Sequence, residues 1–180
     1  MVERLKRRAP QLVRSVSVTT RLPRSGERHG RDYRFVSPTT FERMKRSGEL
    51  LEWARVHGAY YGTPKRPIAQ ALAQGRHALL SIDVQGARKI RRLLGRQAVL
   101  IFLLPPSRAA LRQRLLRRRT ENARAIQQRL AAATREVACA RWYDYAVVND
   151  RLSETVAKVN AIVTAAGGRI PPPRKGKHDG

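Results

Sequence analysis

Residues 15–24, Ser-Val-Ser-Val-Thr-Thr-Arg-Leu-Pro-Arg, set Arg21 and Arg24 on either side of Leu22 and Pro23. Proline fixes the backbone between the two arginines, so both guanidinium groups can converge on one anion. Residues 50–64 put an acid, Glu52, on a strand and follow it with Tyr60, Tyr61, Gly62 and Thr63, which read as a turn. Two arginine forks with phenol groups suit a phosphate. A carboxylate beside a hydroxyl suits a base that carries N–H donors and a carbonyl, and guanine is such a base. Adenine would leave these groups mispaired, which is how a polar site discriminates.

The elements that must hold these residues follow from periodicity and punctuation. Val2, Leu5, Ala9 and Leu12 fall at roughly helical spacing, and Pro10 ends or bends that helix. Alternating Val16 and Val18 predict a strand over 14–19 that runs into the arginine loop. The loop through Gly26 and Gly30 leads to a short strand over 33–36. Ser37 and Pro38 open a helix whose buried side is Phe41 and Met44, with Pro at the first helical position, and Ser47 and Gly48 stop it. A strand over 50–57 and a helix over 65–74, ended by Gly75, come next.

From His77 strands and helices alternate, with longer apolar runs. Strands are predicted over 78–82, 98–104 and 145–148, and a helix over 84–94. Ser107 caps a helix carrying Leu111 and Leu115. Ile126, Leu130, Ala133 and Val137 mark another helix, and Leu152, Val156, Val159 and Val163 the last. Buried parallel strands alternating with helices define an α/β layered fold. Residues 167–180, rich in Gly, Pro and basic side chains, read as a disordered basic tail.

At 180 residues the chain is expected to form one domain, over 1–166. No apolar run approaches the ~18 residues of a membrane span, and the polar start has no signal-peptide pattern. A single Cys139 rules out an internal disulfide framework and fits a reducing, cytoplasmic setting. His29, His57, His77 and His178 lack the spacing of a zinc site. A net charge of +25 predicts attraction to polyanions, nucleic acid included. The charge is dispersed, however, and no nucleic-acid reading motif accompanies it. Oligomeric state is not legible.

Three further stretches carry a resemblance: residues 25–33 (Ser-Gly-Glu-Arg-His-Gly-Arg-Asp-Tyr), 82–87 (Ile-Asp-Val-Gln-Gly-Ala) and 147–150 (Val-Val-Asn-Asp). Taken in order with the two stretches above, they make the chain similar to guanylate kinases over about residues 15–150. The resemblance implies an α/β, P-loop nucleoside-monophosphate-kinase fold with a parallel sheet, a GMP-binding insertion near 20–74 and a helical lid near 117–129. It implies transfer of the terminal phosphoryl group of ATP to GMP, in purine nucleotide metabolism, with Mg2+ carried by ATP. On the matching positions, Ser17, Arg21, Arg24, Tyr33 and Tyr61 would clamp the GMP phosphate. Glu52, Thr63 and Asp83 would read guanine. Arg118 and Arg129 would be lid arginines that close over ATP and stabilise charge on the transferring group. Asn149 matches a position near the ATP adenine; it can also cap the following helix, and the two roles are compatible. Two positions depart from the family. Arg119 stands where Gly is usual, and Ser81 where an acid usually helps hold hydrated Mg2+.

A glycine-rich G-x-x-x-x-G-K-[ST] loop occurs nowhere in the 180 residues; Lys175-Gly176-Lys177-His178 comes too late and in too polar a setting. In this fold class that loop does much of the work of positioning the donor phosphates. Two readings stay open. In one, the written start is an internal Met of a longer kinase, whose loop and central sheet strand come before it. In the other, the chain is a catalytically inactive relative that keeps its site to bind GMP or phosphorylated protein partners. The first is the expectation, because guanine readers, phosphate clamp and lid residues are all present. A basic nucleic-acid-binding protein built on the same fold is a third and weaker alternative.

Overall fold

A computed structural model describes residues 1–117 and 123–167. Its elements, in chain order, are α1 (Val2–Arg8), β1 (Leu12–Arg14), β2 (Val18–Thr19), β3 (Arg34–Phe35), α2 (Pro38–Arg46), β4 (Leu50–Val56), β5 (Ala59–Pro64) and α3 (Lys65–Ala73). Then follow β6 (His77–Leu79), α4 (Val84–Leu94), β7 (Ile101–Leu104), α5 (Arg108–Arg117), α6 (Ala123–Val137), β8 (Tyr145–Val148) and α7 (Leu152–Gly167). Gly167, expected to begin the tail, ends α7; the rest of the basic tail and Arg118 lie outside the described residues, as does part of the expected lid.

Two kinds of sheet result. One half holds parallel ribbons, β1 with β6 and β7 with β8, and no ladder joins β6 to β7 among the described residues. Leu12 pairs with His77 and Ile101 with Tyr145. One apolar cluster unites the ribbons: Leu5, Ala9, Leu12, Val147 and Val159 are buried together, with Leu79 and Ile101 packed against them. The other half is a four-stranded sheet of order β3-β2-β5-β4, antiparallel except for the β2–β3 pair. Its core is Val18, Phe41, Met44 and Leu50. The apolar spacing in α2 buries Phe41 and Met44, and the Ser37 hydroxyl caps that helix by accepting from the Thr40 N–H at 3.1 Å. Leu115, Ile126 and Leu130 hold α5 to α6.

The structure corrects two expectations. Residues 14–19 are not one strand. The Ser15 N–H donates to the Leu79 carbonyl on the parallel side, whereas the Arg34 N–H donates to the Ser17 carbonyl on the other, so the chain changes sheets between them. Val18 is fully buried in its new sheet. Residues 60–63 are not a turn but the middle of β5. The reversal comes earlier, at His57 (φ 48°) and Gly58 (φ 85°), a two-residue hairpin connection with both residues left-handed. Gly62 is small for packing instead. A Cβ there would lie 2.8 Å from Leu50 Cδ1 and 3.2 Å from Phe41 Cζ.

Candidate active site

Between the four-stranded sheet and the ends of β6 and α6 lies a cleft of about 330 Å³. Ser17, Arg21, Arg24, Tyr33, Glu52, Tyr61, Asp83 and Arg129 all line it. Residues far apart in sequence meet there because the β2 strand pairs with β5, placing Thr19 opposite Tyr61, while β5 pairs with β4, placing Thr63 opposite Glu52.

At one end Arg21 is held on several sides. Its Nη2 donates to both carboxylate oxygens of Glu27 at 2.9 Å, its Nε to the Tyr61 hydroxyl at 3.2 Å, and its Nη1 to the Leu22 carbonyl at 2.6 Å. The Arg24 backbone N–H donates to the same Glu27 carboxylate at 2.8 Å. Burial works against the Arg21 charge, but the hydrogen bonds to Glu27 and Tyr61 outweigh it and raise the pKa. Burial likewise pulls the Glu27 carboxyl upward, and the Arg24 N–H with the Arg21 guanidinium more than offsets it, leaving the pKa lowered. The Arg21 guanidinium also lies 5.5 Å from the Tyr33 ring centroid, and Tyr33 meets Tyr61 edge-on at 5.9 Å. Burial, then the Tyr61 neighbour, raises the Tyr33 phenol pKa, so it stays a neutral hydroxyl. Arg21, Tyr33 and Tyr61 therefore meet at one corner of the cleft, which Arg24 also lines, and this chemistry suits an anion.

At the other end Glu52 is buried, 6% exposed, and its partner Thr63 is 1% exposed. The Thr63 hydroxyl donates to Glu52 Oε1 at 2.5 Å. Burial first, and the Asp83 carboxylate second, raise the Glu52 pKa. A buried carboxylate with one oxygen satisfied and a cavity beside it asks for N–H donors. Asp83 borders the cleft while also capping α4: its Oδ1 accepts from the Gly86 N–H at 2.9 Å. Trp53 packs with the sheet core under two lysines, with Lys45 and Lys89 nitrogens 4.5 and 4.4 Å from its ring centroid, in keeping with a structural role.

A second cavity of about 310 Å³ adjoins the first. His57, Arg129 and Glu136 line both, so the inner face of α6 and the β4–β5 turn form the shared wall. Asn149 lies at the second cavity, at the end of β8; its Oδ1 accepts from the Thr155 hydroxyl at 3.3 Å, which ties it to the first turn of α7. Burial and then Asp83 raise the Glu136 pKa. Tyr143, beside the same acids, is pushed up to about 12 by burial and by Asp83.

Every sequence-predicted GMP-site residue thus lines the first cleft except Thr63, which reaches it through Glu52. Arg129 joins them, Asn149 lines the second cavity, and Arg118 lies outside the described residues. Sequence reasoning missed Glu27, which organises the arginines, and His57 and Glu136, which partition the two cavities. The run Arg24-Ser25-Gly26-Glu27 held the one available signal, an acid three residues after an arginine in a glycine turn.

The architecture is that of a mixed α/β protein whose small four-stranded sheet carries an arginine–tyrosine cluster and a buried acid along one cleft. Residues 3–166 match the family model described as Guanylate kinase. A curated guanylate kinase from Oleidesulfovibrio alaskensis is 45% identical over 166 residues, 92% of this chain and 80% of its own length. Another, from Carboxydothermus hydrogenoformans, is 42% identical over 163 residues, 91% of this chain and 79% of its own. The crystal structure of guanylate kinase from Anaplasma phagocytophilum superposes with a TM-score of 0.77 at 36% identity, covering 89% of this chain and 78% of that one. The chain belongs to the guanylate kinase family.

Proposed function

We propose that this chain is an ATP:GMP phosphotransferase, moving the terminal phosphoryl group of ATP to GMP and releasing ADP and GDP, a step of purine nucleotide metabolism. The observation that carries this reading is one cleft with an arginine–tyrosine corner at one end and a buried, cavity-facing carboxylate at the other. GMP fits that polarity. Its phosphate goes to Arg21, Arg24, Tyr33 and Tyr61, joined by Ser17; its ring N–H and exocyclic amine go to Glu52, with Thr63 and Asp83 completing the base site.

The donor takes the adjoining cavity, with its base toward Asn149 and its phosphates toward the wall shared with GMP. Phosphoryl transfer demands little covalent work from a protein; it rests on alignment and on neutralising spread charge. Arg129, on the shared wall, is placed to do the second, and the segment near 117–129 is the proposed lid. Among the described residues no group of three His, Cys, Asp or Glu could hold a metal alone. A divalent ion, which we take to be Mg2+, would come in with ATP and be held by its phosphate oxygens. Such an ion, when bound, neutralises charge between the donor phosphates. The +25 charge adds nonspecific association with polyanions. No described helix is long and apolar enough to cross a membrane; the lone cysteine and the nucleotide substrates favour a cytoplasmic setting.

The test is phosphoryl transfer with ATP, a magnesium salt and GMP or AMP as acceptor, followed by chromatography of the products. ADP and GDP should appear with GMP, and AMP should be a far poorer acceptor. GMP binding with no GDP formed would move the chain to the class of binding modules.

A further inference from the structure

Gly86 stands in the first turn of α4, and its backbone does not require glycine. Unlike Gly58 and Gly75, it has no left-handed φ. Glycine is also the poorest helix former apart from proline, so local preference favours almost any other residue. Space supplies the reason. A Cβ at position 86 would lie 2.8 Å from Glu52 Oε2, 3.1 Å from Glu52 Cδ and 3.2 Å from Ile82 Cβ.

The bare face of this turn is thus the floor beneath the Glu52 carboxylate. Thr63 holds the other oxygen, Oε1, at 2.5 Å. The turn cannot easily withdraw. Asp83 fixes the Gly86 N–H, and one turn further on the Lys89 ammonium donates to the Trp53 carbonyl, next in sequence to Glu52. Floor and acid are tied together by α4 and β4.

We propose that Gly86 is a positioning residue for Glu52. Its missing side chain sets how deep the carboxylate sits, and so controls guanine selectivity without touching the nucleotide. The inference rests on the reading of Glu52 as the guanine acceptor. A single added methyl group leaves two responses. Either α4 lifts against its ties, or the carboxylate swings off Thr63 into the cleft. Both displace the oxygen pair that faces the ring N–H and the exocyclic amine. IMP offers the ring N–H but no amine, so the loss falls more heavily on GMP.

Calorimetric Kd values for GMP and IMP in the whole chain, with Gly86→Ala, Glu52→Asp and the double variant, test this. Gly86→Ala should raise the GMP Kd about tenfold and narrow the preference for GMP over IMP. Asp withdraws the carboxylate by one methylene, so adding Gly86→Ala to Glu52→Asp should cost little more. A folded Gly86→Ala variant with the wild-type Kd and GMP:IMP ratio overturns the inference, as does an equal loss for both ligands. Should Gly86→Ala alone fail to fold, the double variant decides. Folded and binding GMP like Glu52→Asp, it supports the steric account; unfolded, it refutes it. A wild-type chain that does not prefer GMP to IMP removes the guanine reading itself, a separate result.

Discussion

Glu52→Gln changes one acceptor atom and almost no volume, which makes it a sharp probe of the base site. The wild-type carboxylate has one oxygen engaged by Thr63 and the rest of its acceptor capacity directed at the cleft. An amide can still accept from Thr63, but its NH2 then faces the N–H donors of guanine. Losing a hydrogen bond to a charged group, with a donor left opposing a donor, costs on the order of 1–3 kcal/mol. That corresponds to a GMP Kd raised about 5- to 150-fold. Protonation of Glu52 does the same to the wild type, and its pKa lies above the ordinary 4.5 because of burial and Asp83. The GMP affinity of the wild type should therefore fall with pH through that raised value, whereas the Gln variant should lack this component. Stability runs the other way. A raised folded-state pKa means stability fully present below the ordinary value and lost as pH rises through the folded one. The wild type should gain thermal stability over Glu52→Gln as pH falls toward 4.5, and the Gln variant should be no less stable at neutral pH. Calorimetric titration and thermal melts across pH 4–8 read both trends. Equal GMP affinity in the two proteins at neutral pH would take Glu52 out of the site.

Two more substitutions separate the phosphate corner from the frame. Arg24→Lys keeps the charge but loses the guanidinium fork, so the GMP Kd should rise while the guanosine Kd stays the same, and titration of both ligands checks it. Asp144→Ala removes an acceptor that takes the Leu100 N–H at 2.6 Å and the Arg91 guanidinium at 2.5 Å, uncoupling α4 from the start of β7. The loss of about 1–2 kcal/mol should lower Tm by a few degrees and leave the GMP Kd unchanged.

Much of the frame was open to reading. Helix α4 carries its limits in Asp83 and Gly95, and β8 in the apolar run before Asn149 and Asp150, so both match the expected spans. The failures have a common cause. Residues 14–19 alternate as one strand does, but which sheet a strand joins is decided by partners 65 residues away in one case and 16 and 44 residues away in the other. Gly62 looks like a turn residue because glycine at a turn and glycine under a packed Phe41 are identical in sequence. His57, by contrast, gave no signal as the first residue of a two-residue turn usually built from Asn or Asp with Gly.

The same division runs through the site. Arg21, Arg24 and Glu52 announce themselves because their side chains have the chemistry of the ligand they would meet. Glu27 and Gly86 lie against those residues and Glu136 lies on the wall between the cavities, and nothing in their own chemistry says so. Glu27 shows what this hides. An acid next to two arginines suggests charge cancellation, yet its carboxylate spends both oxygens on Arg21 and one of them also on the Arg24 N–H. It thereby fixes the guanidinium plane while Nε stays on Tyr61. A clamp held this way loses little side-chain entropy when an anion arrives, because the fork is ordered beforehand. For the phosphate proposed to bind in this corner, the negative charge that holds Arg21 in place would matter alongside the positive charges that would face the ligand.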